Sequence, residues 1–421
     1  MNTATTRSSR SSVMNFLNEA VNQFPDAISF ASGRPAESFF SLERWMSAVP
    51  RFQAHVAQTE GQSILSAGRR LAQYGRTAGI IDSLIAEQLH NDEHIDCAAD
   101  QIVVTAGCQE ALALILPSLC PDREDVILAR NPTYIGVTGV ADFAGIDIVP
   151  IEPGPSESWE NALQRVMFTL RRHGKTPRCF YLTPEFGNPT GTVLSEAARR
   201  SIIASCAAHR IMVLEDNPYG MFRFEGVASR SMMSLDEAGC VIYLATYSKT
   251  LCPAVRVGAA VLPQQIFGSP AAAQRLKAEL CERKSFMSVN TSQITQALVG
   301  GVLLAEQRSL ARLVEAPLGY YRRNRDTLVA ALGDAFDAAG GEVSWNRPEG
   351  GFFLCVSLPF AFGQHETVEC ARDYGVIVMP MSFFSLDDSC SNEIRIAFSN
   401  VTPEEIGSGV ARFARYVEAR R

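Results

Sequence analysis

Lys249 is the residue whose setting in this sequence most directly implies chemistry. It ends the stretch Tyr243-Leu-Ala-Thr246-Tyr-Ser248-Lys249, and Arg256 follows seven positions on. An arbitrary lysine is a solvated surface group. Here the apolar run 241–245, rich in β-branched and aromatic residues, reads as a strand that delivers the lysine into a site. Neighbouring cations and loss of water lower an amine's pKa and make it a nucleophile towards an aldehyde; a fixed lysine can hold an aldehyde cofactor as a Schiff base. The hydroxyls of Thr246 and Ser248 and the forked guanidinium of Arg256 suit the dianionic phosphate of such a cofactor.

Four other stretches carry residues of the same kind. Gly107-Cys108-Gln109 is a glycine turn ahead of an amphipathic run, and a helix N-terminus there offers free N–H groups to a phosphate, although such turns are also ordinary connectors. Tyr134, in Arg130-Asn-Pro-Thr-Tyr134, can lay its ring on a planar cofactor or pack in a turn. Asn188, in Asn188-Pro-Thr-Gly191, offers an amide donor where a phenolic oxygen would need one. Asp216, in Asp216-Asn-Pro-Tyr219, caps a helix in the plain reading; beside a pyridine it would keep the ring nitrogen protonated, with Tyr219 donating to the ring oxygen. Four such turns in succession, followed by the lysine strand, exceed what packing requires. Neither Gly-x4-Gly-Lys-Ser/Thr nor Gly-x-Gly-x-x-Gly occurs.

The elements that must position these residues follow from the hydrophobic pattern. Strands are expected at 101–105, 125–129, 147–151, 178–183, 211–215, 241–246 and 255–262, with helices at 109–119, 136–144, 158–173 and 195–209 between them. That alternation predicts an α/β fold: a large domain with a mostly parallel seven-stranded sheet sandwiched by helices, binding ligands beyond the carboxyl ends of its strands. After Arg283 the texture changes to helices at 291–306 and 310–339, strands at 342–345, 352–356 and 393–397, and a closing helix at 403–419. These define a smaller α+β domain on which the N-terminal arm packs. The expected division is 1–49 for the arm and its helix, 50–306 for the large domain and 307–421 for the small one.

Composition narrows the classes further. Of 421 residues, 47% are hydrophobic and 20% charged, which suits a soluble globular protein. A net charge of -7 without a Lys/Arg block argues against nucleic acid, and no apolar run is long enough to span a bilayer. Eleven cysteines without a Cys-x-x-Cys pair fit reduced thiols and a cytoplasmic location. Residues 1–12 are rich in Ser, Thr and Arg but lead into no apolar segment, so no secretory signal is expected; 13–21 reads as a helix. His90 and His94 have no evident third partner, so no metal site is expected.

The ordered set Asn188-Pro-Thr-Gly191, Glu215-Asp216-x-Pro-Tyr219 and Ser248-Lys249-Thr-x-x-Pro-x-x-Arg256-x-Gly258 resembles the fold-type I aminotransferases that use pyridoxal 5'-phosphate, in the class I/II branch that includes 2-aminoadipate aminotransferases. The resemblance extends from 28–35 to 393–398. It implies that Lys249 carries the cofactor, that Asp216 pairs with its pyridine nitrogen, and that Asn188 and Tyr219 bind its ring oxygen. Gly107, Cys108, Gln109, Thr246, Ser248 and Arg256 would form the phosphate cup, and Tyr134 the stacking ring. Tyr74 would reach across a homodimer interface to the neighbouring phosphate. Arg395 would clamp the substrate α-carboxylate, with Asn188 and Gly33 on the substrate side; a planar fork matches a carboxylate in two bonds.

The implied activity is ping-pong transfer of an amino group between an L-amino acid and a 2-oxo acid. A lyase or cyclase of a modified amino acid would use the same cofactor and motif. The sensor half of a transcription regulator would need a helix-turn-helix ahead of this fold, for which the roughly thirty residues before Phe30 leave no room. Three positions depart from the family: Ala254 replaces a glycine, Cys108 a small hydroxyl residue, and Met14 an arginine frequent in aminoadipate-type relatives. Met14, Phe39 and Phe40 point to an apolar or aromatic side-chain pocket.

Overall fold

The computed structural model describes Phe16, Glu19 and residues 22–336, 342–387 and 389–420. Met14, the arm at 1–12 and most of the helix expected at 13–21 lie outside the described residues. The first strand, β1 (Ile28–Ser29), belongs with later parts of the chain. Next come β2 (Ile102–Thr105), β3 (Asp125–Ala129), β4 (Asp147–Pro150), β5 (Thr176–Leu182), β6 (Met212–Asp216), β7 (Val241–Thr246) and β8 (Gly258–Val261). These seven form one sheet in the order β2-β8-β7-β6-β5-β3-β4, and only β8 runs against its neighbours.

The apolar runs β2, β3 and β6 are buried throughout, as expected of strands covered on both faces. Helices Cys108–Leu119 and Ile135–Ala144 bury Leu112, Ile115 and Val137 against one face, while Trp159–Arg172 and Glu196–Ala208 bury Leu163, Val166 and Ile202 against the other. Ser158 and Ser195 cap the latter two helices, each hydroxyl accepting a backbone N–H of the first turn.

Two sequence expectations change. The strand expected at 255–262 shortens to β8, because Pro253–Val255 forms a 3-10 turn and Arg256 takes a left-handed conformation at φ 46°. The alternation gave no sign of the 18-residue helix Pro270–Met287, although its start carries a serine cap and an N-terminal proline, Ser269-Pro270. Its weak apolar stripe, Ala273, Leu276 and Leu280, explains the omission.

A second sheet follows: β9 (Ser344–Trp345), β10 (Phe353–Ser357), β12 (Met379–Pro380) and β13 (Glu393–Ala397) pair antiparallel in the order β12-β13-β10-β9. Between them, β11 (Val376–Ile377) pairs parallel with β1, so the N-terminal segment joins this part of the molecule. Helices Ala311–Phe336 and Pro403–Ala419 cover it, burying Leu328, Leu332, Val410 and Phe413. Trp45 and Ala48 instead bury with Ile102 and Tyr243 in the core of the larger sheet. Ion pairs tie the two parts together: Glu225 meets Arg325 and Arg347, and Arg223 joins Glu185 to Glu349.

Candidate active site

The carboxyl ends of β5, β6 and β7 and the turn before β8 open on a cavity of about 310 Å³ facing the smaller sheet. Its lining gathers Gly33, Cys108, Gln109, Tyr134, Asn188, Asp216, Tyr219, Thr246, Ser248, Lys249, Arg256 and Arg395, drawn from segments far apart in sequence. Of the residues expected at the site, Gly107 sits immediately behind the wall and Tyr74 stands apart, 76% exposed.

Lys249 Nζ donates to the Gly33 carbonyl at 2.9 Å and lies 5.8 Å from the centroid of the Tyr219 ring. Burial, then the charges of Arg395 and Arg256, pull its pKa down to about 8, with Asp216 opposing. A lysine so placed is partly neutral near physiological pH, the state that attacks a carbonyl. Gly33 is required by close approach: a side chain there would run into the Phe353 ring, 2.3 Å from the Cβ position.

Asp216 ends β6 and is buried. Its Oδ2 accepts the Tyr181 hydroxyl at 2.6 Å, while Oδ1 has no hydrogen-bond partner. Burial raises its pKa; the Tyr181 hydroxyl, the nearby Cys108 thiol and the charge of Lys249 oppose that. A buried carboxylate oxygen aimed at a cavity without a donor is costly unless a ligand supplies one. Burial also pushes the hydroxyls of Tyr134 and Tyr219 upward, so both stay protonated donors.

At the opposite end, Gly107 caps the helix Cys108–Leu119 at φ 84°, a conformation suited to glycine. A Cβ here would also lie 2.5 Å from the Arg256 guanidinium. Arg256 donates to Ala106 O at 2.9 Å and to Ser248 Oγ at 3.1 Å; Thr246 Oγ1 lies 3.1 Å from that same Oγ. The Cys108 thiol reaches Ala245 O at 3.6 Å and lies beside Asp216 and Thr246, while the first backbone N–H groups of the helix remain available to an anion. The positive φ of the lysine turn falls on Arg256, so Ala254 fits without strain.

Arg395 projects from β13 between the rings of Phe353 and Phe384, with its guanidinium carbon 4.3 and 4.8 Å from their centroids. It donates to Asn188 Oδ1 at 2.8 Å and to Ala31 O, and its buried Nε has no partner. Burial lowers its pKa to about 10, still a cation at neutral pH.

Sequence reasoning passed over Tyr181, Thr183, Arg34 and Phe353. Tyr181 was hidden in an apolar strand, although the two-residue period that puts it on the same face as Thr183 marked it. Phe39 and Phe40 do not line the cavity: Phe39 packs on Tyr320 and Tyr321, and Phe40 on the core around Trp45. His90 bonds Asp96 at 2.6 Å, and among the described residues no group of three His, Cys, Asp or Glu is placed to hold a metal. No described helix is long and apolar enough to cross a membrane.

The orphan oxygen of Asp216, the cradle between Gly107 and Arg256, and an amine of lowered pKa between them fit pyridoxal 5'-phosphate. Fold and site thus define a transferase that works through that cofactor. The model of aminotransferase class I and II matches residues 25–413, and the chain belongs to that family. It is 38% identical over 411 residues to an (S)-3,5-dihydroxyphenylglycine transaminase from Amycolatopsis orientalis, covering 97% of this chain and 92% of that protein. It is 28% identical to aromatic-amino-acid aminotransferase 1 of Thermococcus litoralis, over 93% of this chain and 88% of that protein. Among solved structures, alpha-aminoadipate aminotransferase from Thermus thermophilus, complexed with N-(5'-phosphopyridoxyl)-L-leucine, matches with a TM-score of 0.76 at 26% identity, covering 95% of this chain and 94% of that one. The protein is a pyridoxal-phosphate-dependent aminotransferase; the family match and the transaminase relatives support amino transfer, and nothing in them favours the lyase or sensor readings.

Proposed function

We propose that Lys249 is the residue that binds the cofactor covalently and, once freed by the incoming amino acid, moves the proton at the substrate Cα. The carrying observation is the lysine amine of lowered pKa in the same cavity as the unpartnered Asp216 oxygen. When bound, pyridoxal phosphate supplies an electron-withdrawing ring and carries the amino group between the two half-reactions. In this reading Asp216 holds a proton on the ring nitrogen and is itself oriented by Tyr181. Asn188 and Tyr219 hold the ring oxygen, and Tyr134 packs on the ring face. Gly107, Cys108 and Gln109, through their backbone, hold the phosphate with Thr246, Ser248 and Arg256. Arg395, with Asn188 and Gly33 beside it, receives the α-carboxylate and holds Cα–H over the ring face.

Tyr74 we assign to the phosphate of a partner subunit, a role supported by its exposure on the surface of the single chain. The chain then works as a homodimer in the cytoplasm, with 50–306 as the cofactor domain, 307–421 as the small domain and 1–49 as an arm that docks on it through 28–29 and ends in the larger core at Trp45 and Ala48. The β1–β11 pairing supports the arm's docking. Aromatic amino acids are the first substrates to test, on the strength of the dihydroxyphenylglycine and aromatic-amino-acid activities for which two relatives are named.

The test pairs Lys249→Ala with a screen of amino donors and 2-oxo acid acceptors. The variant should lose turnover while retaining some cofactor; undiminished activity removes the lysine assignment. Wild-type protein given an amino acid alone should convert its cofactor stoichiometrically to pyridoxamine phosphate.

A further inference from the structure

Outside the cavity, the helix Asp82–Glu93 ends in a half-buried carboxylate behind the site. Glu93 Oε2 accepts the Asn217 amide at 3.0 Å and the Tyr243 hydroxyl, and the same amide lies 3.1 Å from Tyr243 Oη. Asn217 stands between the two site residues of its turn. Its Oδ1 accepts the Gly220 N–H at 3.0 Å and so closes the turn that runs from Asp216 through Tyr219. Gly220 leaves room for that closure: a Cβ there would fall 2.6 Å from the Asn217 amide.

We propose that Glu93 is a positioning residue for the site, fixing through Asn217 the turn that carries Asp216 and Tyr219. The inference rests on the cofactor-facing roles assigned above to those two residues. Asn217 has two ends: one grips the turn and the other needs a strong acceptor to set its plane. A carboxylate behind the turn is that acceptor, and a bond to an ionised group holds a side-chain plane more firmly than one to a neutral oxygen. Because the amide group is planar, a rotation at the Glu93 end moves the Gly220 bond with it. The two flanking side chains would then lose their aim into the cavity, although Glu93 never touches the ligand.

Among the described residues, no salt bridge to this carboxylate is formed. The charged groups facing it are acids, Glu215 from β6 and Asp92 from its own helix; Tyr243 faces it from β7, and Tyr247 lies just beyond that strand. From the segment at 309–310, the Ser309 hydroxyl and the Leu310 N–H both bond Asp92. Burial raises the Glu93 pKa to about 7, against the pull of Tyr243 and Asn217. Below that pH the acid must use one oxygen as a donor, and its grip on the two donors weakens. Above it, the carboxylate accepts both.

The experiment titrates pyridoxal phosphate onto the apo chain between pH 6 and 9, with borohydride trapping to locate the adduct. Wild type, Glu93→Ala, Glu93→Gln, Asn217→Ala and the Glu93→Ala/Asn217→Ala pair are compared. Glu93→Ala and Asn217→Ala should each weaken binding about tenfold, the lower end of what one hydrogen bond to a charged group is worth, and the pair should be no weaker than either alone. Glu93→Gln, which keeps the acceptor oxygen, should restore most of the affinity but lose the wild-type tightening as pH rises through about 7. A trapped adduct on wild-type Lys249 combined with wild-type affinity in Glu93→Ala at every pH overturns the inference and leaves the site reading intact. Absence of any adduct on Lys249 overturns both. Should Glu93→Ala fail to fold by circular dichroism, Tyr243→Phe and Asn217→Ala take its place: weakened binding in both supports the inference, and unchanged binding overturns it.

Discussion

The reactivity of Lys249 gives a prediction whose size follows from its surroundings. Its pKa near 8, against an ordinary 10.5, comes mainly from burial, with Arg395 and Arg256 adding and Asp216 opposing. At pH 7.5 a group of pKa 8 is about one-quarter neutral, whereas one of pKa 10.5 is about one-thousandth neutral, so the free-amine fraction rises about 200-fold. The assay treats apo protein with pyridoxal, which lacks the phosphate and so needs no seat for it, and traps the adduct with cyanoborohydride from pH 6 to 11. Mass spectrometry then follows modification at Lys249. Its rate should level off above a midpoint near pH 8, while surface lysines keep rising towards pH 10. Arg395→Gln removes a repelling cation and should move the midpoint up; Asp216→Asn removes an attracting carboxylate and should move it down. A wild-type midpoint within about one unit of 10.5, or a shift in each variant against its expected direction, would refute the electrostatic account.

Asp216→Asn should also weaken pyridoxal phosphate about tenfold to a hundredfold, the value of a hydrogen bond to a charged group, measured by equilibrium dialysis. The same change should raise the apo protein's melting temperature at neutral pH. A carboxyl whose folded pKa is raised loses stabilising effect as pH climbs from its unfolded value through the folded one, and an amide does not titrate. Arg395→Lys should lower kcat/KM about a hundredfold for all amino acids tested, because a point charge lacks the fork and the flat faces now held between Phe353 and Phe384; steady-state kinetics decide it. Tyr74→Phe should weaken cofactor binding in a chain that sediments as a dimer, and a wild-type monomer that holds the cofactor at full affinity would defeat the cross-subunit role.

Much of this arrangement was legible from residue order, because each site residue sits where an apolar run ends and a turn begins. Val241 to Ala245 could only be a strand, and the residues just past a strand's carboxyl end in an α/β sheet face the ligand edge. The alternation placed six of the central strands closely and overextended β8, since Val255 and Val257 continue the apolar run while the backbone at Arg256 does not. Tyr181 escaped because a tyrosine amid Cys179, Phe180 and Leu182 looks like core, and its hydroxyl declares a purpose only once β5 is paired beside β6. Phe39 and Phe40 misled for the converse reason. Aromatic residues near a glycine turn serve a core as readily as a pocket, and here they anchor it. The Glu93 network was invisible, since its three members come from a helix, a turn and a strand with nothing in common along the chain.

The reversed course of β8 bears on how the site is built. After the lysine the chain doubles back and wedges β8 between β7 and β2, which alone brings Gly107 and Arg256 side by side. Without that insertion neither the cradle nor the neighbouring Arg256 charge would be in place beside the lysine. The anion cradle is thus a product of the strand order: it exists only with β8 seated in the sheet.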